Sequence, residues 1–121
     1  MLNCLAVGLG GFLGSVFRYL VGLIPLRAGN GFPFKTLAIN LLGAFVLGTL
    51  SAYAARHPSV SPRLMLLLKV GVCGGFTTFS TFAYESSALL GSGRTALAAA
   101  YAASSLVLGV LAAIGGQQLF R

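Results

Sequence analysis

Residues 74–82 read Gly-Gly-Phe-Thr-Thr-Phe-Ser-Thr-Phe, the densest run of chemically useful groups in the chain. Two glycines followed by hydroxyl and aromatic residues make a poor continuous helix. A break near Gly74–Thr78 is therefore expected, with carbonyls turned out of the helical ladder as a candidate ion site. Phe79 and Phe82 are three residues apart, so both can share a face once the helix resumes. Aromatic ring edges are electropositive and can approach an anion in the ring plane. Isolated phenylalanines ordinarily just pack; their place beside a break makes these two candidates for an anion path.

Other polar residues fall at helical spacing. Thr36 and Asn40 are four apart, as are Tyr101 and Ser105, with Ser104 beside them. Each residue alone can be explained by a hydrogen bond to a neighbouring helix. Together with Ser80 and Thr81 they form a track of hydroxyl, amide and phenol donors, which can solvate an anion without a fixed positive charge. Glu85 follows Phe82 by three and Thr81 by four, so it either continues the track or pairs with a basic residue. Arg18 either snorkels to a headgroup or supplies positive potential at a vestibule. His57, between Arg56 and Pro58, reads as a solvated loop residue.

The elements that must position these groups are apolar. Of 121 residues, 57% are hydrophobic and 7% charged, against about 25% charged in soluble domains. Mean hydropathy is +0.94. Four stretches, at about 3–24, 36–55, 63–90 and 94–119, each approach or exceed the roughly 20 residues needed to cross a bilayer. Between them lie a Gly/Pro-rich loop from Arg27 to Lys35, a Ser/Pro loop after Arg56, and the tight turn Gly91-Ser92-Gly93. The expectation is an all-α integral membrane protein: one domain of four helices running up and down, with both termini on one face. Eight basic residues oppose one acid, giving a net charge of +7, but they are scattered singly, which argues against nucleic acid. Cys4 and Cys73 lie in apolar stretches with neither disulfide nor zinc spacing. The N-terminus lacks the basic region of a cleaved signal.

Charge bias does not choose an orientation. Arg56, Arg63, Arg121 and a snorkelling Lys69 fall to one face; Arg27, Lys35, Arg94 and Arg18 fall to the other. This balance admits both orientations, and with them an antiparallel homodimer; a single orientation fixed by other interactions stays open. Small residues four apart, Gly10 with Gly14, Gly11 with Ser15 and Ala44 with Gly48, allow close helix packing. Ala98, Ala102 and Ala103 give the last helix a similar face. Four thin helices enclose little volume, so a transport path calls for a second subunit.

Three segments, Gly10-Gly11-Phe12-Leu13-Gly14-Ser15-Val16-Phe17-Arg18-Tyr19, Thr36-Leu37-Ala38-Ile39-Asn40-Leu41-Leu42-Gly43 and residues 74–82, together resemble the Fluc (CrcB) fluoride channels. The resemblance spans essentially the whole chain, and the third segment is highly specific. It implies an antiparallel, dual-topology homodimer in the bacterial plasma (inner) membrane, with two fluoride pores and a central structural sodium ion. It also implies passive fluoride export that lowers cytoplasmic fluoride toxicity. By position, Phe79 and Phe82 match the pore phenylalanines, Asn40 the pore asparagine, and Gly74 and Thr77 the carbonyl donors to sodium. Gly74, without a Cβ, can leave the helix cheaply to expose such a carbonyl. Thr36, Ser80, Thr81, Tyr101 and Ser105 correspond to the polar track.

Two other functions compete. A small dual-topology, proton-coupled drug exporter also has four spans, but it requires a buried carboxylate in the first helix, where this chain has none. A structural subunit of a larger complex would not need the 74–82 segment. One histidine and one acid in separate regions offer no triad, metal cluster or phosphate loop for an enzyme.

Overall fold

The computed structural model describes residues 1–26 and 29–121; Arg27, part of the charge balance above, lies outside the described residues. Four apolar helical spans of 21, 23, 30 and 24 residues are long enough to cross a membrane. The first is α1, Leu2–Gly22, and the second is α2, Phe34–Arg56. The third, Pro62–Gly91, is split into α3 over residues 62–76 and α4, Phe79–Gly91. The fourth is α5, Thr95–Gln118.

Local chemistry explains the ends. Pro25 lies just beyond α1, where a proline cannot continue a helix. Asn30 Oδ1 accepts from the Phe32 amide at 3.0 Å, folding the approach to α2 into an Asx turn. Ser61 caps α3, its hydroxyl accepting from the Leu64 amide, and Pro62 occupies the first turn, where its missing N–H costs nothing. At the end of α4 the Gly93 amide donates to the Leu90 carbonyl and the Arg94 amide to the Leu89 carbonyl. Gly93 has φ +78°, so this is a Schellman ending that only a residue tolerant of left-handed backbone closes easily.

Contacts across the loops define the up-and-down order. Lys35 Nζ donates to the Gly22 carbonyl at 2.7 Å and Arg94 Nη1 to the Asn30 carbonyl at 3.2 Å, gathering the first and third connections at one end. Arg63 Nε donates to Asn3 Oδ1 at 3.3 Å, placing the second connection beside the N-terminus.

Glycines set the pairing. α1 lies along α3 so closely that a Cβ on Gly10 would strike the Leu67 carbonyl, and one on Gly14 the Val72 carbonyl. α2 lies along α5 in the same way: a Cβ on Gly48 would meet the Ala113 carbonyl, and one on Gly116 the Phe45 carbonyl. Close approach of this kind raises van der Waals contact where lipid removes the hydrophobic drive between helices. The buried core is small, with Leu37, Leu89, Ala98 and Tyr101 packed against Phe32, Leu41, Phe82 and Leu97. Large apolar side chains such as Leu9, Phe12, Leu106 and Leu111 point outward, as suits a lipid solvent. Ala98 serves the core, whereas Ala102 and Ala103 are exposed.

Within α3, residues Leu66–Cys73 form a π-helical stretch, a widened turn with i→i+5 hydrogen bonds often found at functional sites.

Candidate functional site

The third span breaks inside the expected segment, but not at its glycines. Gly74 keeps helical angles of φ −65° and ψ −39°. The chain turns extended at Thr77 (φ −76°, ψ 157°) and Thr78 (φ −150°, ψ 108°). This corrects the expectation that Gly74 itself leaves the helix. Gly75 sits in the last turn of α3 because a Cβ there would collide with the Gly11 backbone. The threonines break the ladder because side chains offer their backbone other partners.

Those partners are specific. Asn40 Oδ1 accepts from the Thr78 amide at 2.8 Å, and Asn40 Nδ2 donates to the Thr78 carbonyl at 3.1 Å. Thr78 Oγ1 accepts from the Thr81 amide at 3.2 Å, which caps α4. Thr77 Oγ1 donates back to the Cys73 carbonyl at 2.8 Å. In an unbroken helix the Thr78 amide would serve the Gly74 carbonyl and the Thr81 amide the Thr77 carbonyl. Both amides are bonded elsewhere, so the Gly74 and Thr77 carbonyls lose their regular donors.

Beside the break lies a groove of about 470 Å³. Of the candidate site residues, Asn40, Gly74, Thr77, Phe79, Phe82 and Ser105 line it. Phe79 and Phe82 do share this face, their ring centroids 5.7 Å apart and their planes tilted by 46°. Phe79 is 79% exposed although it sits at mid-span. Ser105 Oγ is buried without a hydrogen-bond partner among the described residues, as is Ser86 Oγ.

A second cluster adjoins the groove through Phe82, whose ring centroid is 5.0 Å from that of the fully buried Tyr101. The Tyr101 hydroxyl donates to Glu85 Oε2 and the Thr36 hydroxyl to Glu85 Oε1, each at 2.7 Å. Glu85 is thereby bonded to two hydroxyls rather than to a basic residue among the described residues. A further cavity of about 360 Å³ is lined by Glu85 together with Tyr84, Ser92 and Arg94. Phe82 and Tyr101 thus lie between the groove and Glu85, which lines the second cavity.

The remaining candidates stand apart. Ser80 is exposed and only 3.4 Å from Thr78 Oγ1, while Thr81 Oγ1 accepts from Thr78 Oγ1 at 2.9 Å. Ser104 bonds the carbonyl of Ala100 in its own helix. Arg18 is half-buried on α1 and does not line the groove. Two groove residues, Thr78 and Lys69, were missed as site residues in the sequence. Thr78 had a usable signal, since threonine is favoured at the N-cap position ahead of a helix.

Four apolar spans, an outward-facing apolar surface and a groove beside unwound backbone define a multi-pass membrane protein. The family described as CrcB-like protein, Camphor Resistance (CrcB), matches residues 5–117, and the chain belongs to that family. A protein of Chlorobaculum tepidum named fluoride-specific ion channel FluC is 49% identical over 121 residues, covering 100% of this chain and 96% of that protein. A namesake from Agrobacterium fabrum is 44% identical over 122 residues, covering 100% and 98%. One from Chlorobium phaeobacteroides is 47% identical over 117 residues, covering 97% and 91%.

Proposed function

We infer that this chain is a fluoride channel: it lets fluoride run down its gradient across the membrane and catalyses no reaction. The observation that carries this reading is the groove, lined beside a helix break by the two phenylalanines Phe79 and Phe82 and by the uncharged polar residues Asn40 and Ser105. Its weight comes from relatives named fluoride-specific ion channels along the whole chain. Fluoride is small and holds water tightly, so a path must replace that water with closely placed donors. Ring edges and hydroxyls do this at short range without the fixed cation that would trap the ion.

The drug-exporter alternative requires an acid in α1, and α1 has none. The single acid, Glu85, is held by two hydroxyls from α2 and α5.

The assembly we propose is an antiparallel, dual-topology homodimer in the bacterial inner membrane. The exposure of Phe79 supports it, since one wall of the groove is open in a single chain. The Gly74 and Thr77 carbonyls, deprived of their regular donors, fit a structural sodium ion on the dimer axis. Four neutral backbone oxygens, two from each subunit, would hold it and offset the cost of orphaned carbonyls in lipid. Such an ion would supply positive charge between the subunits.

The test is efflux from liposomes loaded with fluoride or chloride and containing the purified protein. Fluoride leaves and chloride stays; equal rates for the two ions overturn the reading.

A further inference from the structure

We propose that Lys69 is an anion-focusing residue, its ammonium holding positive potential at one mouth of the groove and raising fluoride entry at low ionic strength. This rests on the groove being the fluoride path.

Lys69 lies in the π-helical stretch of α3 and lines the groove, as do Cys73 and Gly74, four and five residues further on. Leu47 and Leu106 contribute apolar wall from α2 and α5. Its depth follows from arithmetic. The span Pro62–Gly91 has 30 residues, about 45 Å if continuous at about 1.5 Å per residue. The hydrocarbon core is about 30 Å thick, so about 7 Å should project at each end. Lys69, roughly 10 Å from Pro62 by the same rise, falls near the polar boundary. Asn40 and Phe82 lie on the same groove beside the break, mid-span.

The charge is also unspent. Lys35, Arg63 and Arg94 each donate to an oxygen of a neighbouring loop or helix end. Lys69, half-buried, has no hydrogen-bond partner among the described residues. Among the described residues it is the one charged side chain on the groove wall. A cation set in low-dielectric walls at a cleft mouth concentrates anions there, an effect that salt screens. The competing role is structural: the side chain snorkels to a lipid phosphate and leaves the anion path indifferent to it.

The experiment measures initial fluoride efflux from liposomes containing full-length wild type, Lys69→Gln, Lys69→Arg or Lys69→Glu, at matched protein content. Ionic strength is set with an impermeant salt at about 0.01 M and about 1 M, where the screening length falls from about 30 Å to about 3 Å. Lys69→Gln is expected to lose about threefold in rate at low salt and to match wild type at high salt. Lys69→Arg retains the wild-type rate, and Lys69→Glu falls below Lys69→Gln at low salt only. Equal rates for wild type and Lys69→Gln at both salts overturn the proposal, as does a loss of the same size at both. Should the variants not reconstitute, wild type decides: its rate falls with added salt, and a flat response overturns the proposal. Wild-type vesicles that retain fluoride overturn the channel reading itself, a different result from either.

Discussion

The side chain of Asn40 brackets the Thr78 peptide unit, accepting from its N–H at 2.8 Å and donating to its C=O at 3.1 Å. One amide on α2 thereby replaces two backbone bonds that the broken third span gives up. The break is a fixed feature held from a neighbouring helix, and Phe79 begins the helix that follows it.

Asn40→Asp keeps an acceptor for the Thr78 amide but has no donor for its carbonyl. Leaving a buried group unpaired costs about 1–3 kcal/mol. The variant is expected to remain folded by size-exclusion chromatography, with fluoride efflux reduced at least tenfold. An efflux rate near that of wild type would separate the bracket from transport.

Phe79→Ile and Phe82→Ile preserve bulk and apolarity while removing the aromatic quadrupole. Each should lower fluoride efflux strongly at unchanged protein yield. If both variants conduct like wild type, these rings only pack.

The Glu85 clasp predicts a non-additive pair. Tyr101→Phe retains the ring contacts with Phe82 and Phe32 but leaves Glu85 Oε2 without its donor. A loss of about 1–3 kcal/mol in stability is expected. In a Glu85→Gln background the same change should cost less, because an uncharged acceptor is less expensive to strand. Thermal unfolding in detergent of the two single variants and the double variant measures this; strictly additive shifts would contradict the clasp.

Gly10→Ala and Gly8→Ala differ by two residues and should behave oppositely. A Cβ on Gly10 meets the Leu67 carbonyl and the Gly71 Cα, whereas one on Gly8 meets nothing within 4 Å. Overpacking against backbone costs about 1–3 kcal/mol. Gly10→Ala should lower the melting temperature and Gly8→Ala leave it unchanged; equal melting temperatures would mean that the α1–α3 seam is looser than the structure shows.

The proposed dimer and its proposed ion make a joint prediction. Reporter fusions at the C-terminus should register on both sides of the membrane within one cell, and replacing sodium by a large organic cation should weaken subunit association in detergent. A C-terminus found only in the cytoplasm argues against dual topology, and association indifferent to sodium argues against the ion.

Hydropathy and local chemistry made the four spans, the break within residues 74–78 and the shared face of Phe79 and Phe82 readable in the sequence. Lipid permits few solutions for an apolar stretch of about 20 residues, and three-residue spacing on a helix fixes a common side. What the tertiary structure alone decided depends on other helices. Glu85 meets Thr36, 49 positions away, and Tyr101, 16 away, so its partners leave no local mark. The break falls at the threonines because Asn40, 38 residues earlier, captures the Thr78 amide, while helix packing against Gly11 explains the neighbouring Gly75. Lys69 reads alone as a snorkelling residue; its place on the groove wall emerges only when α2 and α5 supply the other sides. Periodicity sets which face a residue occupies, and packing sets what that face meets.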